Sequence, residues 1–195
     1  MDITLDSAYW NNRYREGSTG WDIGHPSTPL SHYIDQLTDP DMRILIPGCG
    51  NAWEALYLHE KGFRQVYLLD FAERPVTAFR TSHPGFPAEH ILLEDFFSHH
   101  GHYDLVLEQT FFCAIDPEMR PLYAEKMAEL IVPGGKLAGV LFNCIFEQAG
   151  PPFGGSKEEY EACFGRHFTI ERMEPCLNSI PPRSGKELFV ELIRP

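Results

Sequence analysis

Apolar residues gather in short runs through the middle of the chain. Arg43–Pro47, Gln65–Asp70 and the stretches 91–94, 103–107 and 136–142 are each of strand length, and none alternates strictly with polar residues. Runs of this kind predict strands buried on both faces, as in a parallel sheet. Helical spacing fills the intervals. Residues 52–61 bring Ala55, Leu56 and Leu58 together, and residues 75–81 open with a proline, which suits a first helical turn. Residues 117–131 carry Met119, Leu122, Tyr123, Met127 and Leu130 at steps of three and four. Strands alternating with helices predict an α/β layer structure.

The two ends follow other patterns. Residues 6–37 read as one or two helices, with a loop at 17–29. Beyond residue 165, the stretch 168–173 and Glu187–Ile193 alternate apolar with polar residues around a turn-rich segment at 179–185. That pattern predicts a closing antiparallel pair. The reading is a single domain over 1–195, a Rossmann-like, doubly wound, mostly parallel seven-stranded sheet with a C-terminal antiparallel hairpin. Residues 1–37 form a helical segment ahead of an α/β core at 38–195.

Composition narrows the function classes. A chain of 195 residues suits one domain, and 43% hydrophobic with 23% charged residues excludes wholesale disorder. Sixteen Lys and Arg against twenty-eight Asp and Glu leave a net charge of −12. Such a chain is repelled by polyanions, so neither nucleic acid nor an anionic membrane is an expected partner. No apolar run reaches the roughly 18 residues of a membrane span. The first six residues hold two acids and no basic or apolar region, unlike a secretory signal. Five widely spaced cysteines without a C-x-x-C pair predict reduced thiols in the cytoplasm rather than a disulfide framework or a zinc site.

Chemistry concentrates at the carboxyl ends of the predicted strands. The first strand runs into Pro47-Gly48-Cys49-Gly50-Asn51-Ala52, a glycine turn that lets a ligand approach the backbone. The G-x-G-x-x-G fingerprint is not met, because position 53 is Trp. Asp70 ends the second strand, where an acid accepts hydrogen bonds from both ribose hydroxyls of an adenosine. The other reading of Asp70 is a helix N-cap. Glu94-Asp95-Phe96-Phe97 offers a carboxylate for an adenine amino group beside an aromatic ring, and Glu108-Gln109 ends the fourth strand at the switch point. Glycine turn, ribose acid, adenine acid and polar fourth-strand end are, in that order, what an adenosyl cofactor requires.

With these residues in view, the sequence resembles the class I S-adenosylmethionine-dependent methyltransferases of the thiopurine S-methyltransferase superfamily, and within it the halide/thiol methyltransferase branch. The resemblance spans nearly the whole chain. It is carried by Trp10-Asn11-Asn12-Arg13-Tyr14, Thr19-Gly20-Trp21-Asp22-Ile23-Gly24, Ile46-Pro47-Gly48-Cys49-Gly50, Glu94-Asp95-Phe96-Phe97, Thr110-Phe111-Phe112-Cys113-Ala114-Ile115, Gly150-Pro151-Pro152-Phe153 and Pro181-Pro182-Arg183-Ser184-Gly185. It implies S-adenosyl-L-methionine as cofactor, S-adenosyl-L-homocysteine as its product and a small-molecule methyl acceptor. Trp10, Tyr14 and Trp21 are implied to fold over the cofactor as part of an N-terminal lid. Gly48 is implied to contact it through the backbone, Asp70 to hold the ribose, Asp95 and Phe96 to frame the adenine, and Gln109 to lie near the methionine moiety. Phe112, Arg120 and Arg183 are implied on the acceptor side. Relatives commonly carry Trp where this chain has Tyr14, Asp-Tyr where it has Glu108-Gln109, and a glycine and an aspartate around Asn51-Ala52-Trp53-Glu54.

Several residues keep a second reading at this level. Trp10 and Tyr14, four apart on one helix face, also fit as core anchors. Arg120 and Arg183 fit either as partners of an acceptor thiolate or as surface arginines paired with carboxylates. His99, His100 and His102 read as a solvated loop rather than a metal site, and Cys49 and Cys113 as small packing residues. Two other function classes stay open: a non-catalytic adenosyl-ligand binder and a nicotinamide-dependent oxidoreductase, the latter disfavoured by the broken fingerprint. The net charge tilts the acceptor toward a neutral thiol over a free halide.

Overall fold

A computed structural model describes residues 4–195; residues 1–3, the start of the predicted lid, lie outside the described residues. Two helices, α1 (Ser7–Arg15) and α2 (Thr28–Ile34), precede the sheet. Then come β1 (Arg43–Pro47), α3 (Trp53–Glu60), β2 (Gln65–Asp70), α4 (Glu73–Ser82), β3 (Ile91–Leu93), β4 (Tyr103–Gln109), α5 (Arg120–Leu130) and β5 (Ile131–Phe142). Helix α6 (Lys157–Phe164) and the strands β6 (Thr169–Pro175) and β7 (Glu187–Ile193) complete the chain. The seven strands form one sheet in the order β3-β2-β1-β4-β5-β7-β6. Strands β1 to β5 are parallel, and β7 runs antiparallel to both β5 and β6. The closing hairpin therefore returns on itself: its second strand inserts between β5 and its first.

The unbroken apolar runs are explained by two cores, one on each face of the sheet. Ile44 and Ile46 of β1 join α2, α3 and α4 on one face, while Leu45 joins α5 and α6 on the other. A strand that feeds both cores has no solvent face to keep polar.

Most boundaries fall within two residues of those the sequence predicts, and the exceptions have identifiable causes. Helix α4 opens at Glu73, which leaves Pro75 in its first turn, where no backbone N–H partner is needed. The predicted helix at 117–131 divides into a 3-10 turn at Pro117–Met119 and α5, with Pro121 near its start. Strand β5 begins at Ile131 directly after α5, ahead of Pro133-Gly134-Gly135, and a register shift against β4 between Tyr103 and Leu105 accommodates the extra residues. Helix α6 is not predicted by the apolar spacing. Its start is nonetheless encoded by a capping box: the Ser156 side chain accepts from the Glu159 N–H, and the Glu159 carboxylate accepts from the Ser156 N–H.

Candidate functional site

The glycine turn after β1 is shaped by left-handed backbone at Gly48 (φ 58°), Gly50 (φ 51°) and Ala52 (φ 55°). Two of these positions are also crowded where a side chain would begin. A Cβ on Gly48 would lie 2.2 Å from the Phe111 ring, and one on Gly50 would lie 2.7 Å from the Tyr14 hydroxyl. The turn is thus a point where β1, the segment after β4 and the N-terminal helix converge.

Asp70 braces this turn from the next strand. Its Oδ2 accepts from the Gly50 N–H at 3.0 Å and its Oδ1 from the Ala72 N–H at 2.8 Å. Ala72 is the N-cap residue of α4, so Asp70 stands two residues ahead of the cap and serves both the helix start and the glycine turn. Burial pushes its carboxyl above the ordinary range, and the backbone N–H groups pull it back. Each oxygen still has acceptor capacity toward the cavity.

That cavity measures about 1030 Å³, at the upper end of small-molecule sites, and opens at the carboxyl ends of the central strands. Trp10, Tyr14, Trp21, Gly48, Asp70, Asp95, Phe96 and Arg183 all line it. Helix α1 has no fully buried residue, so Trp10 and Tyr14 are cavity residues and not core anchors. Trp21 meets both rings edge-on, at 5.4 Å and 5.7 Å between centroids, and the Arg13 guanidinium lies 5.6 Å from its centre. Burial, and after it the Asp70 charge, drive the Tyr14 phenol upward, so the ring stays neutral. Asp95 accepts from the Phe97 N–H and the Ser98 hydroxyl, each at 3.3 Å.

Three predicted site residues lie elsewhere. Phe112 is only 2% exposed and packs on Tyr123, Tyr160 and Phe164 in the core; its neighbour Phe111 is the ring that reaches the cavity. Arg120 borders neither cavity and is not a surface arginine. It is buried, donates to the Gly154 carbonyl at 2.7 Å, and lies 4.8 Å from the Phe112 ring centre and 5.6 Å from that of Tyr160. Gln109 borders a separate cavity of about 50 Å³ behind Gly48 and Thr110, where its Oε1 and the Ser27 hydroxyl are buried without a partner. Arg183 does reach the large cavity, but Nη2 donates to the Trp21 carbonyl at 2.8 Å and Nη1 lies 3.7 Å from Glu187. The histidine reading needs a correction as well. His99 is buried between Glu94 (2.7 Å) and the Tyr103 hydroxyl (2.8 Å), whereas His100 is exposed. Among the described residues no His, Cys, Asp and Glu cluster offers a metal site. Burial raises the Cys49 and Cys113 thiols, which are therefore protonated packing groups.

Sequence reasoning named two sets of residues without the bonds that give them their place. The first fastens the N-terminal segment. Asp22 accepts from Trp53 Nε1 at 2.8 Å and from the Asn51 side chain, and Glu54 accepts from the Ser27 N–H at 2.9 Å. Asn51, Trp53 and Glu54 are the positions that depart from the common pattern after the glycine turn, and each departure pairs with the N-terminal segment, at Asp22 or Ser27. The second set is Glu108 with the turn it holds. Its Oε1 accepts from the Phe111 and Phe112 N–H groups at 2.8 and 2.9 Å, and its Oε2 accepts from the Tyr123 hydroxyl. Glu108 is 1% exposed, and burial pushes its carboxyl up to about 7 against the pull of these donors.

The arrangement fits an adenosyl cofactor: a side-chain-free glycine turn, a carboxylate with spare acceptors at the end of β2, and a further acid beside a ring at the end of β3. Comparison with known proteins agrees. The thiopurine S-methyltransferase (TPMT) family model matches residues 5–187. The chain is 35% identical over 161 residues to a probable thiol methyltransferase 2 of Arabidopsis thaliana, covering 80% of this chain and 70% of that one. It is 30% identical over 190 residues to thiocyanate methyltransferase 1 of Brassica oleracea, covering 94% and 84%. Among solved structures, a Burkholderia thailandensis 1,6-didemethyltoxoflavin-N1-methyltransferase superposes with a TM-score of 0.75 at 17% identity, covering 100% of this chain and 93% of that one. Magnesium protoporphyrin IX methyltransferase from Synechocystis gives 0.74 at 16%, with 100% of both chains covered; these two likenesses concern the fold. A glycine turn, strand-end acids and a family match over nearly the whole length place this chain in the thiopurine S-methyltransferase family, as an S-adenosylmethionine-dependent methyltransferase.

Proposed function

We propose that the chain methylates a small soft nucleophile, an organic thiol before hydrosulfide, thiocyanate, halide or thiopurine, by in-line displacement inside the large cavity. When bound, S-adenosylmethionine supplies a methyl group made electrophilic by its sulfonium centre. Asp70 holds the two ribose hydroxyls, Asp95 and Phe96 frame the adenine, and the Gly48 backbone flanks the methionine end, while Gln109 stays behind it in the small cavity. Trp10, Tyr14 and Trp21 close over the cofactor, each ring face favouring a cation by about 0.5–2 kcal/mol. The N-terminal segment 1–37 acts in this reading as a lid, and its ties to Asn51, Trp53 and Glu54 support that role.

The observation that carries the proposal is the Asp70 carboxylate, held by two backbone N–H groups in the wall of a cavity of about 1030 Å³, a volume that suits cofactor and acceptor together. The far end is walled by Phe142, Phe146, Pro151 and Pro152, an apolar setting that suits an organic body better than a hydrated halide. Lys186 lines the same end. A free thiol of pKa about 8.5 is only a few per cent thiolate at neutral pH, so a nearby cation favours the reactive form. Catalysis then rests on positioning, which needs no general base from the chain. The test is a panel of thiols, thiocyanate and halides incubated with methyl-labelled S-adenosylmethionine. Methylated thiol is the expected product; a panel without any labelled product sinks the proposal, and product from iodide alone sinks the choice of acceptor.

A further inference from the structure

Two adjacent phenylalanines after β4 have opposite fates. Phe111 enters the cavity and lies against Gly48, while Phe112 enters the core. The chain separates them by a left-handed residue, Thr110 at φ 59°, a conformation that a β-branched side chain resists. Such backbone persists only where its surroundings hold it. Here the holding group is one side chain. Both backbone N–H groups that follow the kink converge on a single oxygen of Glu108, and the other oxygen is clamped by the Tyr123 hydroxyl from α5. Glu108 does not itself border either cavity.

We infer that Glu108 is a positioning residue for methyl transfer: clamped by Tyr123, it fixes the turn at Thr110 that presents Phe111 to the glycine turn and so shapes the cofactor end of the cavity. The part of this inference that concerns catalysis rests on the cavity being the cofactor site. An oxygen acceptor, rather than bulk, is what the turn requires. Glutamine keeps such an oxygen for the two N–H groups and a polar group for Tyr123. Methionine keeps the volume and offers the N–H groups almost nothing.

The experiment compares wild type, Glu108→Gln and Glu108→Met by amide hydrogen exchange and by calorimetric titration with S-adenosylhomocysteine. The exchange arm reads the turn directly, without ligand. The Phe111 and Phe112 amides are expected to be protected in wild type and Glu108→Gln, and to exchange at least about tenfold faster in Glu108→Met. S-adenosylhomocysteine affinity is expected to fall about tenfold or more in Glu108→Met and to stay within about threefold of wild type in Glu108→Gln. Equal protection and equal affinity in the Gln and Met variants overturn the inference, because bulk alone then suffices. Should Glu108→Met fail to fold, Tyr123→Phe takes its place: it leaves the carboxylate unclamped and is expected to speed exchange at both amides, and wild-type protection there overturns the inference. A wild type with both amides protected that takes up no S-adenosylhomocysteine overturns the cavity assignment instead, and the two failures are separable.

Discussion

At the residue scale, two carboxylates in and behind the cavity wall are buried and held by backbone N–H groups. Asp70 and Glu108 share this design: each sits at a strand end and each accepts two backbone N–H groups. Substituting Asp70→Asn keeps the shape but removes the charge that the proposed function assigns to the ribose. A charge-assisted bond is worth about 1.5–3 kcal/mol, so S-adenosylhomocysteine affinity should weaken tenfold or more. Unchanged affinity in a calorimetric titration removes Asp70 from the site. Arg120 makes the opposite point. Arg120→Met should cost about 1–3 kcal/mol through the lost bond to Gly154 O, read as a lower midpoint in denaturant, and leave the acceptor KM within about twofold. A raised KM at unchanged stability restores the acceptor role.

Glu108 also ties stability to pH. Its carboxyl titrates near 4.5 when unfolded and at about 7 when folded, raised by burial, with Tyr123 of α5 and the Cys113 thiol as the facing titratable groups. Between those values the folded protein binds a proton that the unfolded chain has released. Stability from this group is therefore full below pH 4.5 and declines as pH rises toward 7. The stability difference between wild type and Glu108→Gln, followed by denaturant midpoints across that range, should shift against wild type with rising pH; a flat difference contradicts the raised value.

At the element scale, the N-terminal helix is attached by a mid-helix side chain and by the segment that follows it, and not by a core. Helix α1 buries no residue fully. It is held by the Asn11 side chain, which accepts from the Arg74 N–H at 2.9 Å, and by the segment after it, through Asp22, Ser27 and the Trp21 carbonyl. Removing residues 1–21 should therefore abolish methyl transfer and leave the far-ultraviolet spectrum of the sheet largely intact. Turnover that survives the deletion shows that the lid assignment is wrong. Helix α6 shows how an element is missed. Its hydrophobic spacing is weak over eight residues, yet Ser156 and Glu159 mark its first turn as plainly as any residues in the chain.

At the scale of the whole molecule, the net charge of −12 acts on two reactants of opposite preference. It draws in a cationic donor and opposes an anionic acceptor, and salt screens both beyond about 8–10 Å. Raising ionic strength from about 0.05 to about 0.5 M should raise the KM for S-adenosylmethionine modestly and lower that for an anionic acceptor such as thiocyanate, leaving a neutral thiol unaffected. Salt-independent KM values for all three assign the steering to the local acids and cations of the cavity alone.

The sequence by itself determined whatever depends on near neighbours. Period and run length marked the strands, because a strand shared by two cores carries no polar face. The glycine turn and the strand-end acids were legible because left-handed backbone and carboxylate chemistry select few residue types. What lay between distant residues was decided by tertiary structure alone. Strand β7 inserts between β5 and β6 through pairing that alternation does not encode. Phe111 faces the cavity and Phe112 the core because Glu108 and Tyr123, fifteen residues apart, hold the turn between them. Asp22 finds Trp53 across thirty-one residues, and Arg120 finds Gly154 across thirty-four. A hydrogen bond of that span leaves no periodic trace in the chain, since its two ends obey local rules that are each satisfied without the other.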